Sequence, residues 1–178
     1  MKMKKLLVGL LAATMTFGVV GCGQKQDNVT QEQTGQAVNS TESEINDDLG
    51  KGMISLFKEL IVEDENISTE DMGNKFAENT MFEMAMGSMP VEPGLLTGFD
   101  NEEIKGFKEG AMFSPMIGSI PFVGYIFKVD DETNVDDFMK QLKDNANLRW
   151  NICTEADQML ITNVDNTVLF VMYSVNEE

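Results

Sequence analysis

Four methionines, Met81, Met84, Met86 and Met89, fall within nine residues, and Met112 and Met116 follow. Thioether sulfur is a soft donor that suits Cu(I). The same side chain is also an adaptable filler of apolar cores. In an extended segment Met84 and Met86 share one face while Met81 and Met89 share the other, so a strand would divide the set. Core filling is therefore the expectation. A Cu(I) site built from Met81, Met84, Met86 and Met89 is the alternative.

Ser55-x-x-Lys58 has the spacing in which a lysine takes the proton of a nucleophilic serine, but neither Ser-Asp-Asn nor Lys-Thr-Gly accompanies it. On an amphipathic helix such a match arises by chance. Asp130-Asp131-Glu132-Thr133-Asn134 begins like a calcium loop, yet Val135 stands where the turn glycine belongs and Gln141 where the bidentate Glu belongs. Glu63-Asp64-Glu65-Asn66 also lacks the glycine. Both acidic runs read as solvated helix caps. No Walker loop, Gly-x-Ser-x-Gly, Cys-x-x-Cys or dinucleotide-binding glycine pattern occurs. No metal-ligand or catalytic residue is assigned, and no cofactor is expected.

The 178 residues include no histidine, 13 Lys and Arg and 30 Asp and Glu, for a net charge of -17. Without imidazole there is no Ser-His or Cys-His pair, no histidine zinc ligand and no histidine general base. A phosphate backbone needs a basic stripe, so nucleic acid is excluded as a partner. Cys153 sits between Ile152 and Thr154, just past Trp150, and this apolar setting predicts a buried, inert thiol.

The elements that would position these groups follow from periodicity. Ile45, Leu49, Met53, Leu56, Phe57, Leu60 and Ile61 recur at three and four residues after Thr41-x-x-Glu44, which predicts a helix over 44–62. Ser68-x-x-Asp71 opens a second helix reaching about Glu78. Met81 to Met86 alternates like a strand, broken by Pro90 and Pro93-Gly94, and Asp100-x-x-Glu103 suggests a helical turn with Ile104 and Phe107. Phe122 to Val129 is a continuous apolar run, hence a central strand. Val135, Phe138, Met139, Leu142 and Ala146 mark a helix over 134–147. Asp165-Asn166 between two apolar runs marks a hairpin. The sum is an α+β domain over 45–178, a small, mostly antiparallel sheet with helices packed on one face.

Lys2, Lys4 and Lys5 precede an apolar stretch from Leu6 to Val20, too short for a membrane span and suited to a signal peptide over residues 1–21. Residues 22–44 are polar, with only Val29, Ala37 and Val38 apolar after Cys22, and are expected to form a disordered tether reaching roughly 25 Å. Val19-Val20-Gly21-Cys22 resembles the lipobox of bacterial lipoproteins, although Val19 and Val20 stand where Leu and a small residue are usual. That resemblance implies acylation of the Cys22 thiol, cleavage before it, and a lipid anchor on the outer face of the cytoplasmic membrane. Cleavage removes three lysines and no acid, so the acyl chains rather than charge would hold the protein.

The lipobox at Cys22, the tether, the strand Val123-Gly124-Tyr125-Ile126-Phe127-Lys128-Val129 and the closing hairpin through Thr167-Val168-Leu169-Phe170-Val171-Met172 together resemble a family of clostridial lipoproteins classed as a domain of unknown function. The resemblance covers about residues 53 to 175. It implies a Gram-positive cell envelope and a small α+β fold, and it supplies no activity. The expected function is that of a lipid-anchored, extracytoplasmic, non-enzymatic domain. It would bind a protein partner or small ligand through its sheet or through the Phe113 to Phe122 loop. The metal-binding alternative comes second and an enzyme third.

Overall fold

The computed structural model describes residues 45–175. The signal peptide, the tether and Cys22 lie outside the described residues. The elements run α1 (Asp48–Glu63), α2 (Thr69–Ala77), β1 (Met86–Val91), β2 (Gly94–Leu95), β3 (Glu103–Ile104), β4 (Phe107–Pro115), β5 (Val123–Val129), α3 (Val135–Asn145), β6 (Gln158–Val164) and β7 (Thr167–Tyr173). Five strands form one antiparallel sheet in the order β1-β4-β5-β7-β6, and β2 and β3 pair separately. This is the α+β class expected, with the apolar run at β5 in the centre of the sheet.

The expectation of helices on one face is corrected. Along β5, Val123, Tyr125, Phe127 and Val129 belong to one core with α3, whereas Ile126 belongs to another with α1 and α2. Along β7, Val168, Phe170 and Met172 join the first, and Leu169, Val171 and Tyr173 the second. Side chains on a strand alternate between faces, so the two cores lie on opposite sides of the sheet. The reason is visible in the strands themselves. Both are apolar at nearly every position, and an uninterrupted apolar strand needs cover on both sides.

Local chemistry sets the helix ends. Asp47 caps α1 by accepting the Gly50 N–H at 2.7 Å, so the helix starts at Asp48, later than the Glu44 start expected from Thr41-x-x-Glu44. Ser68 caps α2 by accepting the Asp71 N–H at 3.0 Å, and its hydroxyl donates to the Asp71 carboxylate at 2.7 Å. Asn134 caps α3 through the Asp137 N–H at 3.1 Å. Asp165 takes φ 50° in the two-residue turn between β6 and β7, the conformation that Asn and Asp tolerate best.

Three assignments shift. The strand expected over Met81 to Met86 begins at Met86 and runs through Pro90 to Val91. β1 is an edge strand, where a residue without N–H is tolerated. The helical turn after Asp100 is instead a turn and a short strand. Asp100 takes φ 46° and Gly106 φ 95°, conformations that stop helix propagation. Most of the apolar stretch around Met112 is strand rather than loop: β4 reaches Pro115, leaving 116–122 to connect it to β5. The outer end of the Phe113 ring reaches Gly124, where an added Cβ would sit 2.2 Å from it, so the absence of a side chain at 124 makes room for the ring.

Candidate ligand-binding cleft

The two faces of the sheet are covered unequally. On the α3 face, Phe138 of α3 packs on Phe127 at 5.3 Å and Phe107 at 6.1 Å, toward the end of the sheet where β4 begins and β5 ends. At the other end, α3 has already finished at Asn145, and the cover is shared by the 96–99 segment, whose Phe99 packs on Tyr125 and Phe170, and the irregular segment 146–157. Two bonds tie that segment to the β4–β5 connection. The Asn151 side-chain amide donates to the Gly118 carbonyl at 2.8 Å, and the Thr154 hydroxyl donates to the Ser119 carbonyl at 3.2 Å.

Between these two loops opens a cleft of about 510 Å³. Met112 and Ser114 of β4 and Val123 of β5 form the floor. Ile117, Ile120 and Phe122 stand on one side, with Trp150, Ile152 and Cys153 on the other. The volume is in the range of sites for small organic molecules, which are mostly apolar with a few polar groups. The polar side chains here are those of Thr97, Ser114 and Asn151, with the Trp150 indole N–H and the Cys153 thiol beside them. Thr97 is held in place by Tyr125, whose hydroxyl donates to the Thr97 carbonyl at 2.8 Å. Burial pushes the Tyr125 phenol well above its ordinary range, against the opposing pull of that hydrogen bond, so it stays neutral.

No Asp, Glu, Lys or Arg lines the cleft. The nearest charges in sequence, Arg149 and Glu155, pair with each other at 3.1 Å on the surface. In a chain with 30 acidic residues this patch is set apart by what it lacks. Its lining therefore holds no carboxylate or ammonium pair for acid-base work.

Cys153 is exposed on this wall, which corrects the expectation of a buried thiol. Trp150 is the member of the segment that packs inward against the core, and Ile152 and Cys153 are turned to the surface. The methionine quartet weighed as the alternative Cu(I) site is divided between different surroundings. Met81, Met84 and Met86 pack with the α1 and α2 core. Met89 pairs across the strands with Met112, which packs on the opposite core. Met89, Met112 and Met116 instead border a hollow of about 150 Å³ beside the cleft. Among the described residues no group of three His, Cys, Asp or Glu could hold a metal ion.

Ser55 is exposed on α1 and lines neither the cleft nor the hollow beside it. The acidic runs are caps and turns: Asp130 accepts the Glu132 N–H at 3.2 Å, Asp64 accepts the Asn66 N–H at 2.9 Å, and Asp131 pairs with Lys108 at 3.0 Å. Sequence reasoning pointed to the Phe113 to Phe122 segment but missed the opposing wall at Trp150 to Cys153. The signal was present, since residues 112–123 and 150–154 carry no charge. No protein-family model matches the chain, and no curated protein or solved structure matches it.

Proposed function

We propose that this protein is a lipid-anchored domain of the cell envelope, of the clostridial lipoprotein kind its sequence resembles, and that it acts by binding rather than by catalysis. Cys22 carries the anchor, residues 22–44 give the domain reach from the outer face of the cytoplasmic membrane, and the ligand occupies the cleft between the 116–122 and 150–154 loops. One observation carries the binding half: a cleft of about 510 Å³ with mostly apolar walls, a few neutral polar side chains and no charged one. Such a site recognises an uncharged, largely apolar ligand or side chain, because burying an unpaired charge there is costly.

Trp150 is the chain's single tryptophan and lines the cleft, so its emission reports occupancy directly. Titration with a neutral apolar dye should shift that emission saturably, and Ser114→Phe should block the shift by filling the floor without adding a second tryptophan. A non-saturable response, or one unchanged in Ser114→Phe, would remove the cleft from consideration. The anchor half is tested separately. Cys22→Ser should abolish lipid labelling and release the protein from membranes or leave it uncleaved.

A second reading keeps soft-metal binding, since Met89, Met112 and Met116 border one hollow. An anaerobic Cu(I) competition titration decides it: tight binding lost in Met89→Leu with Met116→Leu would favour metal over an organic ligand.

A further inference from the structure

Large apolar side chains exposed among the described residues are Val62, Met89, Leu95, Met116, Ile117 and Ile152. Three of these, Met116 (75% exposed), Ile117 (64%) and Ile152 (100%), stand on the two loops that hydrogen bonding ties together at the mouth of the cleft. They form one projecting tip with Trp150 behind it. Scattered apolar side chains need no explanation, but a cluster on linked loops marks an interaction surface. The tip is also free of charge: 112–123 and 150–154 contain no Asp, Glu, Lys or Arg.

The place where the chain enters the domain indicates what faces this tip. The tip lies at the end of the sheet where β4 ends, β5 begins and β7 ends, as the pairings of Gly124 with Phe113 and of Val123 with Met172 require. The start of α1 is fixed at that same end. The Tyr173 hydroxyl, from the last residue of β7, donates to the Asp47 cap at 2.8 Å, and the Tyr173 ring meets Phe122 at 6.4 Å. The described chain therefore begins, at Ile45, at the end that carries the tip.

We infer that the tip rests on the surface of the bilayer, Ile117, Ile152 and Met116 entering the headgroup region and the cleft opening onto the membrane. This rests on the lipid anchor at Cys22 proposed above. Loss of the three leader lysines takes the net charge from -17 to -20, a surface repelled by anionic lipid, and an uncharged apolar tip with an adjacent tryptophan is the part of the molecule that can approach the interface. The occupant is lipid with neutral or zwitterionic headgroups, and the anchor supplies the proximity that three side chains alone would not.

The protein extracted from membranes and reconstituted into phosphatidylcholine vesicles tests this through Trp150. Lipids brominated on the first acyl carbons should quench its emission. Ile117→Asp with Ile152→Asp should abolish the quenching while the protein stays on the vesicles. Lipid labelling of Cys22 is measured on the same samples, so loss of the anchor is recognised as such. In that event, full chain with Cys153→Ser, coupled through Cys22 to a maleimide lipid, supplies the attachment. Quenching there supports the tip contact even without natural acylation. Unquenched Trp150 on vesicle-attached protein, in either preparation, overturns the inference. So does a dimer in detergent that Ile117→Asp disperses, which would make the tip a contact between copies.

Discussion

Two apolar regions of this protein have opposite fates. β5 and its neighbour β7 are threaded between other strands and covered on both faces, so Phe127, Val168 and Phe170 are wholly buried. The 116–122 and 150–154 segments carry no charge at all, yet Ile152 is fully exposed and Ile117 and Cys153 stand on the surface. Apolarity specifies that water is disfavoured, and the topology decides what replaces the water. For β5 it is the protein itself. For the tip, at the end of the sheet beyond α3, nothing among the described residues does so.

The contrast breaks first at the core. Phe170→Ala should destabilise by about 3–5 kcal/mol, the range for deleting a buried aromatic ring. Phe170 is fully buried and packs on Phe99 at 5.1 Å, so no solvent-facing rearrangement can fill the gap. Urea unfolding followed by Trp150 emission measures it. A cost below about 1 kcal/mol would mean that this face is not the tightly packed core described.

Next comes the close approach on the other face. Gly124→Ala puts a methyl 2.2 Å from the Phe113 ring, which is itself held by Phe76 at 4.8 Å and Phe122 at 5.8 Å. With no room to yield, the ring must leave its rotamer or the strand must bend, costing about 1–3 kcal/mol. Gly124→Ala with Phe113→Leu should recover part of that loss. Additive effects in the same unfolding assay would show that the ring and the glycine do not meet.

How much of this was legible in the chain depended on whether the signal was local. The caps at Ser68 and Asn134, the hairpin at Asp165-Asn166 and the central strand at Val123–Val129 follow from residue chemistry over a few positions, and each stands where expected. Helices on both faces were not read, although a strand apolar at every position asks for double cover. The Met81–Met86 alternation misled because methionine serves a turn as readily as a strand, and the register that fixes β1 comes from β4, more than twenty residues away. The cleft was half legible. Its 116–122 wall belongs to the segment singled out from sequence. Its Trp150–Cys153 wall depends on hydrogen bonds to Gly118 and Ser119 across more than thirty residues, which no periodicity encodes.

A smaller effect sits at the junction of core and tip. Burial first, and then the hydrogen bond and charge of Asp47, hold the Tyr173 phenol far above its ordinary range. Burial does the same to Tyr125. These are the chain's only tyrosines. A raised folded-state pKa stabilises the fold fully below the unfolded value of about 10, and the contribution is lost as pH rises above it. Absorbance at 295 nm should therefore show no phenol titrating near pH 10, and ionisation should coincide with alkaline unfolding. Tyr173→Phe should cost about 1 kcal/mol at neutral pH. Asp47 keeps its Gly50 bond in that variant, so α1 remains capped. A tyrosine titrating freely in the folded protein would contradict the burial described.

The smallest expected effect is the one that gives the comparison its meaning. Ile152→Ser and Ile117→Ser replace side chains that touch little of the protein, so each should change stability by no more than about 0.5 kcal/mol. Ile152 is 100% exposed, and folding removes none of its surface from water. A hydroxyl there removes an exposed apolar group and leaves no buried partner unsatisfied. If the unfolding midpoint hardly moves, an apolar residue has been retained at a place where the isolated fold gains nothing from it, and its role lies in what the tip meets. If either substitution instead costs as much as an aromatic ring in the core, the loops are packed more tightly than their exposure indicates. The tip would then belong with β5 and β7 as structure, and the contrast between the two regions would be lost.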